Sequence, residues 1–216
     1  MWVIGLNDGY REILDAIASD SPTPGGGSVA ALSLAHAHAL VCMVARLTLK
    51  SGKWESGHDT ATRVLDGSHK GIANAIDLAR RDAESFDSVM LAFRMPKTTD
   101  EELSQRRSAI AKGYLKASKV PLETAETGVV LLQGIAEFAS NCNANAITDL
   151  AAAAQLAHSS VSIAALNVKI NLDSLDDSFG PDFKDEAFEM SVMIENLVVD
   201  AEGHEEEISQ IVAGRI

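Results

Sequence analysis

The chain has 216 residues, a length that suits a single domain with one sizeable core. Hydrophobic residues make up 46% of it, aromatic residues only 5%, and the net charge is −13. An acidic chain without a basic block argues against binding to nucleic acid or to an anionic membrane surface. Cys42 and Cys142 offer neither a disulfide framework nor a paired-cysteine metal motif. Together with an N-terminal stretch that lacks the pattern of a signal peptide, they predict a cytoplasmic protein.

About six helices are predicted, and no stretch shows the alternation that is typical of a strand. Residues 8–18 form a short amphipathic helix. Residues 28–51 form a highly apolar one, with Ser28 as its predicted N-cap. After the polar break SGKWESG, helical periodicity continues over residues 58–94, and Pro96 ends it.

The helical pattern continues through the second half of the chain. Residues 99–140 begin with Thr99 and Glu102 at the spacing of a capping box. Pro121 is expected to kink or divide this helix, because proline lacks the backbone N–H that a helix interior uses. Two further helices are predicted at 144–171 and 181–211.

Two of these helices are apolar on nearly every face. Residues 29–45 are 17 residues without a formal charge, a length at the lower limit for a membrane span. Because they are rich in alanine and include two histidines, we interpret them as the buried central helix of a bundle. Residues 144–165 also have small residues on several helix faces, so other helices must pack against all of their sides. The sequence thus predicts one all-α domain over residues 1–216, a helical bundle in which a subunit interface covers part of these two apolar helices.

Asp82 is a polar residue on an apolar helix face. At 100° per residue, Phe86, Val89 and Phe93 lie within about 40° of it. A carboxylate on such a stripe is costly unless it is paired or hydrogen-bonded. Asp82 is therefore either part of a structural ion pair or buried cap, or a pocket carboxylate that has a shifted pKa or faces a cationic ligand.

Asp149 follows an amide-rich run that includes Asn143 and Asn145. These residues are either caps at a helix start or a polar cluster at a helix N-terminus that binds a ligand. Asn167 and Asn171 lie four residues apart on one side of the same helix. Asn167 is roughly 27 Å from Asp149, so the two cannot share one site within a single straight helix. They belong to two sites or meet across a dimer.

Three consecutive glycines, Gly25, Gly26 and Gly27, precede the apolar helix. Such a run weakens a purely structural turn, so either the turn is unusually tight or something approaches its backbone closely. It is not a dinucleotide fingerprint, because no strand precedes it. His36 and His38 diverge by about 160° on a helix and cannot chelate one metal, so no metal site is predicted.

Several motifs resemble, in order, the formiminotransferase-cyclodeaminase C-terminal family. They are PTPGGGSVAALS with MVARLTLKSGK, RRDAESFDSVMLAFRMPK, RRSAIAKGYLKASKVPLETAE, NCNANAITDLAAAAQLA and ALNVKINL. The resemblance extends from about residue 10 to residue 175. The family includes formimidoyltetrahydrofolate cyclodeaminases and stand-alone methenyltetrahydrofolate cyclohydrolases. It usually has small residues where His36 and His38 stand, and TLKSGKWE departs by one or two residues from its glycine-lysine-tyrosine pattern.

The resemblance implies an all-helical homodimer with a tetrahydrofolate derivative as substrate and no metal or other cofactor. It also implies that Gly25, Gly26 and Gly27 let the backbone approach the ligand, at a folate site near the subunit interface. The polar residues carried over by matching position are Ser28, Lys53, Asp82, Lys97, Asn143, Asp149, Asn167 and Asn171.

Both family reactions act on a one-carbon unit that bridges, or is about to bridge, two nitrogens of tetrahydrofolate. Each needs a carboxylate to offset cationic charge and an acid or base for proton transfer. We predict Asp82 and Asp149 as the catalytic residues, with Asp82 beside the one-carbon centre. Asp149, with Asn143 or Asn145, is predicted to hold the polar edge of the pterin. Lys53 and Lys97 are predicted to meet the glutamate tail.

Hydrolysis of 5,10-methenyltetrahydrofolate to 10-formyltetrahydrofolate is the predicted reaction, because this chain has no room for a formiminotransferase domain. Two alternatives stay open. One is a formimidoyltetrahydrofolate cyclodeaminase that releases ammonia. The other is a helical dimer that binds folate without turnover.

Overall fold

The structure, a computed structural model, describes residues 9–175 and 181–216, with the backbone alone for residues 181 and 182. Its six α-helices are α1 (Tyr10–Ile17), α2 (Gly26–Leu49), α3 (His58–Phe93), α4 (Asp100–Ala139), α5 (Ile147–Asp173) and α6 (Pro181–Ala213). Short 3₁₀ helices at Gly52–Gly57 and Ala144–Ala146 precede α3 and α5. The described ranges contain no strand, and the all-α prediction is confirmed. The predicted start of the first helix, residue 8, lies outside the described residues.

The start of α2 differs from the prediction. Gly25, with extended backbone angles, is the N-cap, and the N–H of Val29 donates to its carbonyl at 3.0 Å. The prediction that Ser28 is the N-cap is therefore wrong. The Ser28 hydroxyl instead lies 3.1 Å from the Ala79 carbonyl and 2.9 Å from Oδ2 of Asp82, both on α3. The hydroxyl thus serves a contact between helices rather than the end of its own helix.

The start of α4 follows the prediction. The N–H of Glu102 donates to Oγ1 of Thr99 at 3.2 Å, and the N–H of Thr99 donates to Oε2 of Glu102 at 3.1 Å. This reciprocal pair is the capping box. Pro121 does not divide the helix, which runs through it for 40 residues. Pro121 is buried where α4 packs on its neighbours, and that packing offsets the single backbone hydrogen bond that proline removes.

The core lies around α2, which packs against α3 and α5, while α4 packs against α3, α5 and α6. Small residues dominate these contacts and let the helix axes approach closely, with fully buried larger side chains such as Leu34, Val41 and Phe138 between them. Among the described helices, α2 alone has the length and apolarity to cross a membrane, and 56% of its most apolar window is buried inside the fold. This burial agrees with the interpretation of α2 as the central helix of the bundle.

The two histidines of α2 have opposite environments, as their divergence on a helix predicts. His36 is exposed, and its ring packs edge-on against Tyr10 at 6.0 Å between centroids. The side chain of His38 is buried, and desolvation lowers its pKa to about 4. In the unfolded chain His38 therefore binds a proton below about pH 6.5. In the folded chain it binds that proton only below about pH 4.

Acidification is expected to destabilise the fold through His38. Between pH 6.5 and 4 the unfolded state binds more protons, so the free energy of unfolding should fall by up to about 3 kcal/mol from this group. Urea unfolding at several pH values, compared between wild type and His38→Phe, isolates that contribution. His36→Phe, the same change at an exposed position of α2, is the matched control for the substitution itself. An equal slope in wild type and His38→Phe would contradict the expectation.

Candidate functional site

A cavity of about 250 Å³ opens where the start of α2 meets α3, α4 and the end of α5. Six of the predicted site residues line it, namely Gly25, Gly26, Gly27, Asp82, Asn167 and Asn171. They come from three separate segments of the chain. The fold therefore brings together the glycine run, the carboxylate on the apolar face of α3 and the two amides of α5.

The glycines allow the first turn of α2 to approach these side chains closely. A Cβ atom added to Gly27 would lie 2.2 Å from Oδ1 of Asp82, well inside van der Waals contact. A Cβ on Gly26 would lie 3.2 Å from Nδ2 of Asn167. A close approach to the backbone was one of the two sequence explanations for the glycine run. Here the approaching groups are the site's own carboxylate and amide.

Asp82 is partly buried at the N-terminus of α2. Burial raises the pKa of its carboxyl group, and hydrogen bonds from the hydroxyl and backbone N–H of Ser28 act in the opposite direction. Asp82 takes part in none of the ion pairs found within the described ranges. The structure thus shows the buried cap that the sequence offered as an explanation. The same carboxylate also lines the cavity, so the two sequence explanations are compatible.

The α5 side of the cavity presents amides and a hydroxyl. Asn167 uses Nδ2 to donate to the Ile163 carbonyl at 2.8 Å. Asn171 and Ser174 follow four and seven residues later and line the same cavity, because residues at these spacings share one helix face. The predicted shared side of Asn167 and Asn171 is confirmed.

Sequence reasoning missed several residues that line this cavity. Ser85 lies one turn after Asp82, and Ser174 lies two turns after Asn167, so helical spacing from either predicted residue could have found them. Tyr114 reaches the cavity from α4 and packs edge-on against Phe93 at 6.2 Å between centroids. No local pattern marks Tyr114, because its place depends on how α4 packs on α3.

Asn143 and its neighbours lie at the opposite end of α2. The backbone N–H of Asn143 donates to Oγ1 of Thr48 at 2.9 Å, and its side chain accepts from the N–H of Asn145 at 3.0 Å. Asn143 is thus the cap of a 3₁₀ turn, the structural alternative that the sequence left open. Asp149 lies in the first turn of α5, about 27 Å along that helix from Asn167. These residues do not line the cavity of their own chain.

The two predicted lysines also lie away from the cavity. Lys53 is exposed in the 3₁₀ helix before α3, with Nζ 4.7 Å from the centre of the Trp54 ring. Lys97 is exposed in the connection between α3 and α4. None of the residues that line the cavity is a lysine or arginine. Over the described ranges, no three His, Cys, Asp or Glu side chains are arranged to hold a metal ion.

Known proteins are similar to this chain in sequence and in fold. A sequence model of the formiminotransferase-cyclodeaminase family matches residues 9–189. A methenyltetrahydrofolate cyclohydrolase from Methylorubrum extorquens is 36% identical over 171 residues, which are 79% of this chain and 82% of that protein. A formimidoyltransferase-cyclodeaminase from Rattus norvegicus is 34% identical over 175 residues, which are 81% of this chain. This chain spans only 32% of the length of the rat protein.

A solved structure gives the same result at the level of the fold. The crystal structure of formiminotetrahydrofolate cyclodeaminase from Thermotoga maritima aligns with a TM-score of 0.79 at 27% identity. The alignment covers 94% of this chain and 95% of that one. With the family match over most of its length, this chain belongs to the formiminotransferase-cyclodeaminase family.

Proposed function

We propose that this chain is a folate one-carbon enzyme that hydrolyses 5,10-methenyltetrahydrofolate to 10-formyltetrahydrofolate. The observation that carries the proposal is the partly buried carboxylate of Asp82, which lines a cavity beside the glycine-rich start of α2. The similarity to the Methylorubrum extorquens cyclohydrolase supports this choice of reaction, since it extends over 82% of that protein.

Asp82 meets the charge requirement of the reaction. The substrate carries a positive charge shared between N5, N10 and the methenyl carbon. A partly desolvated carboxylate interacts with such a charge more strongly than one in bulk water does. Asp82 therefore stabilises the bound cation. Its raised pKa also suits it to accept a proton from the attacking water.

The proposed chemistry has two steps. The water oxygen bonds to the methenyl carbon while one water proton passes to Asp82, giving a tetrahedral adduct. The carbon–N5 bond then breaks as Asp82 returns its proton to N5 and the adduct's hydroxyl releases its proton to solvent, which leaves the formyl group on N10 and Asp82 ionised. We assign the hydrogen bonds to the pterin to Asn167 and Asn171, and the rings of Phe86 and Tyr114, which line the same cavity, offer apolar faces for it.

The cyclodeaminase reaction is the second candidate. In it, N10 attacks the formimino carbon and ammonia leaves, which makes the same demand for a carboxylate near a cationic centre. The likeness to the Thermotoga maritima cyclodeaminase, over 94% of this chain, favours this alternative. A folate-binding dimer without turnover is the third candidate, and it predicts binding with neither product.

A homodimer is part of the proposal. Leu166 and Ile170 on α5 are 67% and 64% exposed, and Ile170 also lines the cavity. Large apolar side chains at the edge of a binding site are suited to contact with a second protomer. Light scattering on the eluting protein should give twice the mass of the 22.9 kDa chain. A monomer at all concentrations would contradict this part of the proposal.

The experiment that tests the function follows the absorbance of 5,10-methenyltetrahydrofolate at neutral pH with and without the protein. Loss of absorbance faster than in the blank, with 10-formyltetrahydrofolate as product, supports the cyclohydrolase. Without acceleration, formiminotetrahydrofolate with ammonia detection tests the cyclodeaminase. Inactivity in both assays, with folate binding retained in calorimetry, would leave the dimer without turnover.

Removal of the Ser28 hydroxyl is expected to shift the pH dependence of turnover. That hydroxyl lowers the pKa of Asp82, so Ser28→Ala should raise this pKa further. The ionised form of Asp82 is the active one, so the acid limb of the kcat/KM profile should move to higher pH. Ser85→Ala is the matched control, because the Ser85 hydroxyl donates to the Asp82 backbone carbonyl at 2.8 Å instead. Superimposable acid limbs for wild type and Ser28→Ala would contradict this role.

A further inference from the structure

The cavity beside Asp82 is too small for the whole of the proposed substrate. Its volume of about 250 Å³ lies below the usual range for sites that enclose a drug-sized molecule. With the pterin and its one-carbon unit in the cavity, the p-aminobenzoyl group and the glutamate tail extend outside it. The tail carries carboxylates, and no lysine or arginine lines the cavity. A cationic partner for the tail must therefore lie further along the fold.

One face of the α3–α4 pair continues away from the cavity. Phe93 follows Asp82 by eleven residues on α3, and Arg106 precedes Ala117, which lines the cavity, by eleven residues on α4. Eleven residues turn a helix by about 20° beyond three full rotations and advance it by about 16 Å, so each pair shares a helix face. Because α3 and α4 run in opposite directions, Phe93 and Arg106 meet at the far end of this face.

Aromatic contacts connect the cavity with that far end. The ring of Tyr114, which lines the cavity, packs edge-on against Phe93 at 6.2 Å between centroids. The guanidinium carbon of Arg106 lies 5.4 Å from the centre of the same Phe93 ring. Phe93 is 44% exposed, so its ring presents an apolar surface between the cavity and the guanidinium group. The flat ring of a p-aminobenzoyl group suits such a surface.

Arg106 is held in place but has no carboxylate partner. Its Nη2 donates to the Phe93 carbonyl at 3.2 Å, and it takes part in none of the ion pairs over the part of the chain whose side chains are described. The carboxylate of Glu102, one turn earlier on α4, is engaged in the capping box with Thr99. A guanidinium group has five N–H donors, so Arg106 retains donors for an anion.

The charge of the surrounding segment also favours an anionic tail. Residues 94–119 contain seven lysines and arginines and only three acidic residues, although the net charge of the whole chain is −13. One of these cations is Lys97, which is exposed in the connection between α3 and α4, four residues after Phe93. Lys97, predicted from the sequence to meet the glutamate tail, thus lies at the same end of α3 as Arg106.

We propose that Arg106 binds a carboxylate of the glutamate tail and favours substrates with more than one γ-linked glutamate. This inference rests on the proposed function. From N10 to the γ-carboxylate of the first glutamate, an extended substrate measures about 11 Å when ordinary bond lengths are added. Asp82 and Phe93 are about 16 Å apart along α3. With the one-carbon unit beside Asp82, the first glutamate therefore ends short of Arg106, and the second reaches it.

Calorimetric titrations with 5-formyltetrahydrofolate, as the monoglutamate and as the triglutamate, test this inference on the full chain. The wild type should bind the triglutamate about five- to tenfold more tightly, as expected for one charge-assisted hydrogen bond at a partly exposed site. Arg106→Gln should bind both forms with nearly the affinity that the wild type has for the monoglutamate. Arg63→Gln, which removes the same charge near the start of α3, should keep the wild-type preference.

A second measurement needs no variant. In the wild type, the side-chain Nε–Hε resonance of Arg106 should shift on saturation with the triglutamate and change little with the monoglutamate. Equal affinity of the wild type for both forms would overturn the inference. So would a variant Arg106→Gln that loses stability in urea but keeps the preference, since the arginine would then only cap α3. A wild type that binds neither form would contradict the proposed function itself.

Discussion

Replacement of Asp82 by asparagine is expected to reduce turnover of 5,10-methenyltetrahydrofolate by about 10²- to 10⁴-fold, the usual contribution of a general acid or base. Asparagine has nearly the same size and still accepts a hydrogen bond from Ser28, so the fold should be retained. What is lost is the negative charge that faces the substrate cation and the group that takes the proton. Steady-state kinetics on the purified variant measure both losses.

The matched control is Asp87→Asn, which makes the same change at an exposed position of α3. It should leave kcat and KM close to those of the wild type. Asp149 lies outside the cavity of its own chain. Loss of turnover in Asp149→Asn would indicate that this carboxylate serves the reaction from a partner protomer. Full turnover in Asp82→Asn would remove Asp82 from the mechanism.

Gly27→Ala is expected to lower kcat/KM by about 10²-fold, because displacement of a catalytic group by roughly 1 Å has effects of this size. The added methyl group would lie 2.2 Å from Oδ1 of Asp82, so the carboxylate or the start of α2 must move. The overpacking should also destabilise the protein by about 1–3 kcal/mol. Kinetics and urea unfolding on the same preparation separate the two effects.

Gly203→Ala serves as the control for this substitution, since its added Cβ meets no atom within 4 Å. In the middle of α6 it should raise stability by about 1 kcal/mol through helix propensity and leave activity unaltered. If Gly27→Ala retains wild-type kcat/KM, then the close approach of α2 to Asp82 is not needed for the reaction.

The helices were predictable from the sequence because their signals are local. The capping box at Thr99 involves residues three positions apart, and the break before α3 follows from a polar run. Ser28 shows where this reasoning fails. Its residue type and position suit an N-cap, but a tertiary contact with Asp82 takes its hydroxyl and leaves the cap to Gly25.

The candidate site was predictable only in part. Asp82 stood out because a polar side chain on an apolar helix face requires a partner or a role. Tyr114 did not, because a tyrosine on a helix is unremarkable until the neighbouring helix is in place. Asn143 stood out because asparagine is common both at helix caps and in binding sites. Only the structure shows that here it is a cap.

A crystal structure of the protein with bound 5-formyltetrahydrofolate, a stable relative of the substrate with its one-carbon unit on N5, would test the proposed place of Asp82 beside the one-carbon centre. We expect the pterin to occupy the cavity between α2, α3 and α5, with the formyl group about 3 Å from the Asp82 carboxyl group or from one bridging water. The pterin bound instead at the far end of α2, against Asn143 and Asp149, with the Asp82 cavity empty, would contradict it.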